Sequence, residues 1–387
     1  MNILIYNLTH IILFPFFLIF LILRLFNKKE NSESFFQKLF CKGDKNYYGY
    51  IIHVASVGEL NSIHYLIQKI PQEKRILITC STLSAHKLAS KKYKQCSVKY
   101  LPYDFYPLVR VFLAKNMTDK FIWIDSEIWP NYLHILKSKK IPTYLINGRI
   151  SEKSFRRWKM VTKFVKELGS IYKIIYASSL PAKESFEILF QRKIFYSGNL
   201  KYYQDLNIVK NIENNLCFAS IHLKEFKDIL KIIEKIDFNI VEKIFLIPRH
   251  PHYAYELNRK LLESNIPKDK VVVFDSMGKN KNIHSISKLS FIGGSLFNHG
   301  GQNPLEALSC GSYVLTGPYT HNFSSIYEDL EEKKLCGVFK EIDHTLIAKS
   351  ISVMMSKKKL LDINEVRILF KKQSEDLNII TNSIIND

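Results

Sequence analysis

From Tyr50 onward the chain repeats one pattern. A short unbroken apolar run leads into a polar or glycine-containing turn, and a stretch with helical spacing of apolar residues follows. The runs YIIHVAS, RILITC, VKYLPYD, KFIWID, PTYLING and KIIYAS succeed one another, and this series ends near KIFYSGNL. Runs that do not alternate apolar with polar residues read as strands buried on both faces, and intervening helices imply βαβ units. Helices are expected to open near Glu59, Ser84 and Tyr106. A second series begins at LCFAS (Leu216–Ser220) and continues through KIFLIPRHP, KVVVFD, KLSFIGGS and GSYVLTGP. The pattern predicts an α/β protein with two doubly wound, Rossmann-like domains at 34–200 and 216–365. A polar linker is expected at 201–215 and an amphipathic helix at 366–387. Tandem modules of this kind face a cleft with the carboxyl ends of their strands, where ligands bind.

Ahead of these domains stands MNILIYNLTHIILFPFFLIFLILRLF, which has no charge before Arg24. Its apolar run has roughly the ~20 residues needed to cross a bilayer core. A membrane anchor helix is expected at 1–27. Lys28 and Lys29 follow at once, which by the positive-inside rule leaves the rest of the chain in the cytoplasm. No basic segment precedes the run and no A-x-A site follows, as a signal peptide would require. Pro15 and His10 interrupt it, so a helix lying in the interface is the alternative to one that spans.

Charge narrows the partners. The chain of 387 residues carries a net charge of +20, an excess that suits an anionic partner: nucleic acid, anionic lipid or a phosphorylated substrate. Only ten of its basic residues are arginines, so an arginine at a strand end is more informative than a lysine. The six cysteines are scattered without a C-x-x-C pair, against a zinc ribbon or disulfide scaffold and in keeping with a reducing compartment. No nucleic-acid module, P-loop, HExxH or G-x-S-x-G signature occurs.

Five strand ends carry candidate chemistry. In HVASVGEL, Ser56, Gly58 and Glu59 fall where a strand turns into a helix. A carboxylate in a first helical turn is stabilised by the helix N-terminus, so Glu59 is either a helix-start residue or a reactive group. In WIDSEIWPN, Asp125 and Glu127 stand two apart after a strand. Such a pair holds a metal, contacts substrate hydroxyls or caps a helix, and spacing does not choose. In INGRISEKSFRRW, Ser151 is placed to cap a helix, with Arg149 just before it and Lys153, Arg156 and Arg157 in its first turns. This is either a phosphate site or a solvated basic face. In LIPRHP, Arg249 and His250 directly follow a buried strand. FIGGSLFNHGGQNPLEA has two Gly-Gly pairs around a loop, then Asn303, Pro304 and Glu306 in the order of a capping box. Gly300 and Gly301 are expected to leave amides open as an anion cradle.

Together these strings resemble the 3-deoxy-D-manno-octulosonate (Kdo) transferase family. HVASVGEL is similar to its SVGE signature, YLPYD to LPYD, SEIWPN to TELWPN, INGRISEKS to NARLSERS and SGNLKY to GSLKFD. PRHP, DSMG, FIGGSL, HGGQNPLEA and GPYTHNF match in order, so the resemblance runs from about Met1 to Phe323. It implies a GT-B fold, two Rossmann-like domains facing a cleft, behind the N-terminal membrane helix. It implies transfer of Kdo from CMP-Kdo to the 6′-hydroxyl of lipid IVA, with inversion, at the cytoplasmic face of the inner membrane. Glu59 is then the general base. Ser220, His222, Arg249, His250, Gly300, Gly301, Asn303 and Glu306 fall on the donor side, with Glu306 near the ribose. Ser56, Gly58, Asp125, Glu127, Arg149 and Arg156 fall on the acceptor side. No metal or cofactor is implied beyond the CMP-Kdo substrate, and no nucleic acid.

The chain departs from the family pattern at three places. CSTLSAHK replaces the family's threonine- and glycine-rich turn, SIHLKE replaces STHEGE while keeping Ser220, His222 and Glu225, and NLKYY lacks an aspartate. Two rivals stand beside the reading. One is a GT-B transferase using another nucleotide sugar. The other is a non-catalytic membrane tether for anionic lipid, which needs neither nucleotide binding nor Glu59.

Overall fold

A computed structural model of the chain describes residues 2–27, 29–41, 44–125, 128–196, 198–202, 206–208, 213–275 and 280–387. It divides into two compact units, one made of residues 1–203 with 373–387 and the other of residues 204–372.

The first unit is built on a seven-stranded sheet. Its strands are β1 (Asn46–Val54), β2 (Ile76–Cys80), β3 (Ser97–Tyr100), β4 (Asn116–Ile124), β5 (Thr143–Gly148), β6 (Ile174–Ala177) and β7 (Phe195–Tyr196). They lie in the order β3-β2-β1-β4-β5-β6-β7, all parallel. Every residue of β2 and β5 is buried, which is why these strands show no alternation. Helices cover both faces and form two separate cores. One gathers Trp123, Tyr132 and Phe186, the other Ile52, Val54 and Ile146. The final helix, Ile363–Ile385, places Leu377, Ile380 and Ile384 in the second of these cores.

The second unit has six parallel strands: β8 (Glu213–Ile221), β9 (Ile244–Pro248), β10 (Val271–Val273), β11 (Ser287–Ile292), β12 (Tyr313–Thr316) and β13 (Cys336–Val338). Their order is β10-β9-β8-β11-β12-β13. In both sheets the winding reverses beside the first strand, between β1 and β4 in one and between β8 and β11 in the other. A crevice at such a switch point is where an open α/β sheet binds ligands. The predicted strands are all present. The structure adds β13, three residues around Gly337 that are too short for a hydrophobic run to announce.

Three helices near the amino terminus matter below: α1 (Ile3–Phe26), α2 (Ser32–Phe40) and α3 (Val57–Ser62). Asn2 caps α1, its side chain accepting from the Ile5 amide at 3.0 Å.

Candidate active site

At the switch point of the first unit, β1 ends in Ala55 and Ser56, and α3 begins. Ser56 is the N-cap, its hydroxyl accepting from the Glu59 amide at 3.4 Å. The same hydroxyl donates to Glu59 Oε1 at 2.9 Å, and the Ala55 amide donates to Oε2 at 2.6 Å. Glu59 is therefore a helix-start residue with fixed geometry. It is also buried, which most helix-start carboxylates are not. Burial, then the nearby charge of Asp125, push its carboxyl up to about 7, against the opposing pull of the Ala55 and Ser56 hydrogen bonds and of Arg149. A carboxyl poised there is half ionised at neutral pH, which suits a group that must accept a proton and release it. Gly58 is exposed, and a Cβ there would meet the Ser56 hydroxyl at 3.8 Å, an ordinary contact.

Across the switch point, β4 ends at Asp125, which is buried and held at φ +68. Aspartate tolerates this left-handed conformation better than most residues. Asn147, itself at φ +57, donates to Asp125 Oδ1 and accepts from the Leu200 amide at 3.1 Å. Arg149 Nε lies 3.1 Å from Asp125 Oδ2. That is a charge contact, since among the described residues Oδ2 has no aligned hydrogen-bond donor. The Arg149 side chain is 47% exposed, so its remaining donors are open to a ligand.

One residue of this cluster is new. Lys201, in the turn Leu200–Tyr202, has its ammonium pK lowered, first by burial and then by Arg149, while Asp125 and Glu59 pull it back up. It therefore shares one electrostatic site with three sequence-predicted residues. Lys201 lies in SGNLKY, the string that resembles GSLKFD. Two other expectations fare differently. Arg156 is exposed on the helix Glu152–Lys159 and pairs with Glu152, one turn away, so nothing ties it to this cluster. Glu127 lies outside the described residues.

In the second unit, β8 ends with Ser220 at φ +59, at a register irregularity against β9. Gly293 closely approaches this bend: a Cβ there would stand 2.8 Å from the Ser220 carbonyl oxygen. The fully buried Glu225 carboxylate accepts four amides, from Gly294 at 2.7 Å, Ser295 and Leu296 at 2.9 Å each, and His222 at 3.0 Å. The loop after β11 is thus pinned by a protein carboxylate, and those amides are not free for a phosphate.

The loop 300–306 also corrects an expectation. Gly300 has φ +101 and Gly301 φ +75, as their type suggested, but the Gly301 amide is already donated to the Gly294 carbonyl at 2.8 Å. Asn303 Oδ1 accepts from the Leu305 amide at 3.0 Å, and the short helix Leu305–Ser309 starts after Pro304. Pro304, not Asn303, stands at the N-cap, so Glu306 is the second residue of the helix and closes no capping box. Instead its carboxyl is pushed up by burial, while Lys281 and Arg249 pull it down, so it faces cations.

Exposed Arg249 and His250 follow β9 directly, as predicted. His222 is pushed down to about 4 by burial, then by His299, Arg249 and His250. His250 is lowered by burial, Arg249 and His252. These basic groups repel one another, and an anion among them would relieve the repulsion. Of the DSMG string, Asp275 alone is described, and residues 276–278 lie outside.

Two parallel, doubly wound sheets, each with polar side chains at its switch point, make up a fold of the GT-B type. A crystal structure of a glycosyltransferase from Rickettsia africae shares this fold with a TM-score of 0.59 at 11% identity, covering 88% of this chain and 100% of that one. Residues 26–204 match the family model of the 3-deoxy-D-manno-octulosonic-acid transferases (kdotransferase). The chain is 28% identical over 79% of its length to a bifunctional glycosyltransferase/methyltransferase of Fusobacterium nucleatum, and the match spans about half, 53%, of that longer protein. It is also 28% identical over 81% of its length to a 3-deoxy-D-manno-octulosonic acid transferase of Rickettsia bellii, with 82% of that protein matched. Residues 26–204 thus match the Kdo transferase family, and the chain as a whole is similar to curated Kdo transferases.

Proposed function

We propose that this glycosyltransferase moves Kdo from CMP-Kdo to lipid IVA with inversion, and that it works at the cytoplasmic face of the inner membrane. The observation that carries the mechanism is the buried Glu59 carboxyl, held near 7 at the switch point of the first unit. The acceptor hydroxyl oxygen forms a bond to the anomeric carbon of Kdo as its proton passes to Glu59. The bond from that carbon to the phosphate oxygen breaks, and CMP leaves with the electron pair. Attack opposite the leaving group inverts the centre. Arg149 and Lys201 supply positive charge beside the base, where phosphorylated lipid IVA binds in this reading. Arg249 supplies charge for the CMP phosphate, His222 and His250 stand beside it as hydrogen-bonding imidazoles, and Glu306 is the ribose partner in this reading. The reading needs no cofactor.

Mass spectrometry of lipid IVA incubated with CMP-Kdo and the purified protein tests it. The expected product carries added Kdo and needs both substrates. An unmodified acceptor, with transfer from a different nucleotide sugar, would replace this donor assignment.

A further inference from the structure

Helix α1 does not stand free of its domain. Ile3, Asn7, His10, Phe14, Phe17, Leu21 and Arg24, spaced alternately four and three apart, are all at least partly covered. That spacing puts them on one stripe of a helix. Contacts run its whole length. At the start, the Tyr6 hydroxyl donates to the Asp104 carboxylate at 2.8 Å, and Ile3 and Tyr6 pack on the first unit's core. In the middle, Phe14 stacks on Phe105 at 5.0 Å and Phe17 meets Tyr103 edge-on at 4.6 Å. At the end, Arg24 pairs with Glu30 at 3.1 Å, and Glu30 pairs with buried Lys38 at 2.8 Å. Lys38 donates in turn to the Ser81 carbonyl at 2.8 Å, at the end of β2.

The opposite face is apolar and exposed: Leu4, Leu8, Ile12, Phe16, Ile19 and Leu23 are each more than half in the open. A continuous apolar face of this size is a partner surface. Basic groups flank it at both ends. The helix Thr162–Gly169, whose Phe164 meets Tyr6, exposes Lys163 and Lys166, and Lys29 is exposed after the other end. Lysines at both ends of an apolar face fit the headgroups of anionic lipid, with acyl chains against the apolar residues.

We infer that α1 is an in-plane anchor that lies in one leaflet with its domain attached, and that it does not cross the bilayer. This rests on the membrane reading above. A helix of this length is just long enough to span, at about 1.5 Å per residue. Spanning would carry Tyr6 to the far side, leaving half-buried Asp104 without its hydroxyl donor and opening Tyr103 and Phe105 to solvent. Asp104 and Ser81 follow β3 and β2 at the carboxyl edge of the sheet that also carries Glu59. An in-plane α1 therefore brings that edge to the bilayer surface, where an amphiphilic acceptor presents its head.

The test uses the full-length protein with a protease-cleavable epitope before Met1 and another after Asp387. It is bound to sealed vesicles of phosphatidylethanolamine and phosphatidylglycerol and floated on a density gradient. The protein should float, and protease added outside should remove both epitopes equally without detergent. Flotation with an amino-terminal epitope that resists until detergent is added would show a spanning helix and overturn the inference. Failure to float would remove the membrane reading with it. The triple variant Leu8→Ser, Ile12→Ser, Phe16→Ser should bind vesicles at least about tenfold more weakly, and unchanged binding would show that another surface holds the membrane.

Discussion

Glu59, in the first turn of the helix after β1, and Asp125, directly after β4, flank the β1/β4 switch point, and the charge of Asp125 adds to burial in holding the Glu59 carboxyl near 7. The pair divides its labour by environment. Asp125 has Asn147 and Arg149 for partners, while Glu59 has only short-range hydrogen bonds from its own turn. If Glu59 is the base, kcat/KM falls on the acid side of about pH 7. Asp125→Asn removes a like charge and frees Arg149, so it should move that limb to lower pH. Lys201→Met removes a nearby cation and should move it to higher pH. A limb that stays put in both variants would assign the titration to another group.

Arg249 is the second test. Its charge reaches His222, His250 and Glu306, the groups proposed for the nucleotide. CMP should protect the protein against thermal unfolding. Arg249→Ala should weaken CMP binding by on the order of 1.5–3 kcal/mol, the worth of a charge-assisted hydrogen bond. His222, held down to about 4, is neutral at pH 7 and gains a charge beside the phosphate only as pH falls toward 4, where CMP should bind more tightly. Equal protection of wild type and variant would remove Arg249 from the site.

How much of this was legible in the sequence follows from the range of the interactions. Buried parallel strands need unbroken apolar runs, so RILITC and PTYLING announced β2 and β5. Glu59, Asp125 and Arg249 sit directly after such runs, and position in the chain sufficed to find them. Lys201 joins Glu59 only because the Asn147 side chain fastens the Leu200 amide, a contact across 53 residues. Glu225 meets Gly294 across 69 residues, so its hold on the glycine loop had no local signature. The apolar run of α1 left a spanning and an in-plane helix both open, because Ile3, Phe14, Phe17 and Leu21 of the covered stripe are as apolar as the open face. The Tyr6–Asp104 bond, 98 residues apart, and the Phe14–Phe105 and Phe17–Tyr103 ring contacts show which side is docked.

Glu225 gives a prediction that separates architecture from charge. Glu225→Gln keeps the size but turns an amide toward backbone donors that need acceptors. With charge-assisted bonds lost in a fully buried place, the variant should lose on the order of 2–4 kcal/mol of stability in chemical denaturation. CMP affinity should fall as the loop 293–301 loosens. An unaltered denaturation midpoint would show that the four amides find other partners.

Activity should persist in excess chelator. The argument lies in Asp125, whose two oxygens already face Asn147 and Arg149, so a divalent cation would have to displace a fixed positive charge. Loss of turnover in chelator, restored by magnesium or manganese, would make the Asp125 region a metal site after all.

The Glu59→Gln variant decides between the two roles open to this residue. An alcohol becomes a competent nucleophile as its proton is removed, and a placed carboxylate contributes typically ~10²–10⁴-fold. Glutamine cannot accept that proton, so turnover should fall by about this factor with CMP affinity unchanged. Stability should move the other way. The Glu59 carboxyl ionises near 4.5 ordinarily and near 7 in the folded protein, so between these values the folded state keeps a proton that the unfolded chain releases. The stability from this group is whole below pH 4.5 and is lost as pH rises through 7. Glutamine imitates the protonated form, and its amide faces the Ser56 hydroxyl, which is free to turn and accept. The variant should match wild type near pH 4.5 and gain on it above pH 7, by up to about 3 kcal/mol. A residue that only starts a helix predicts the reverse: a loss of about 0.3–1 kcal/mol at neutral pH and near-normal turnover. Turnover and melting temperature measured across pH in this one variant separate the two, and normal turnover would remove Glu59 as the base.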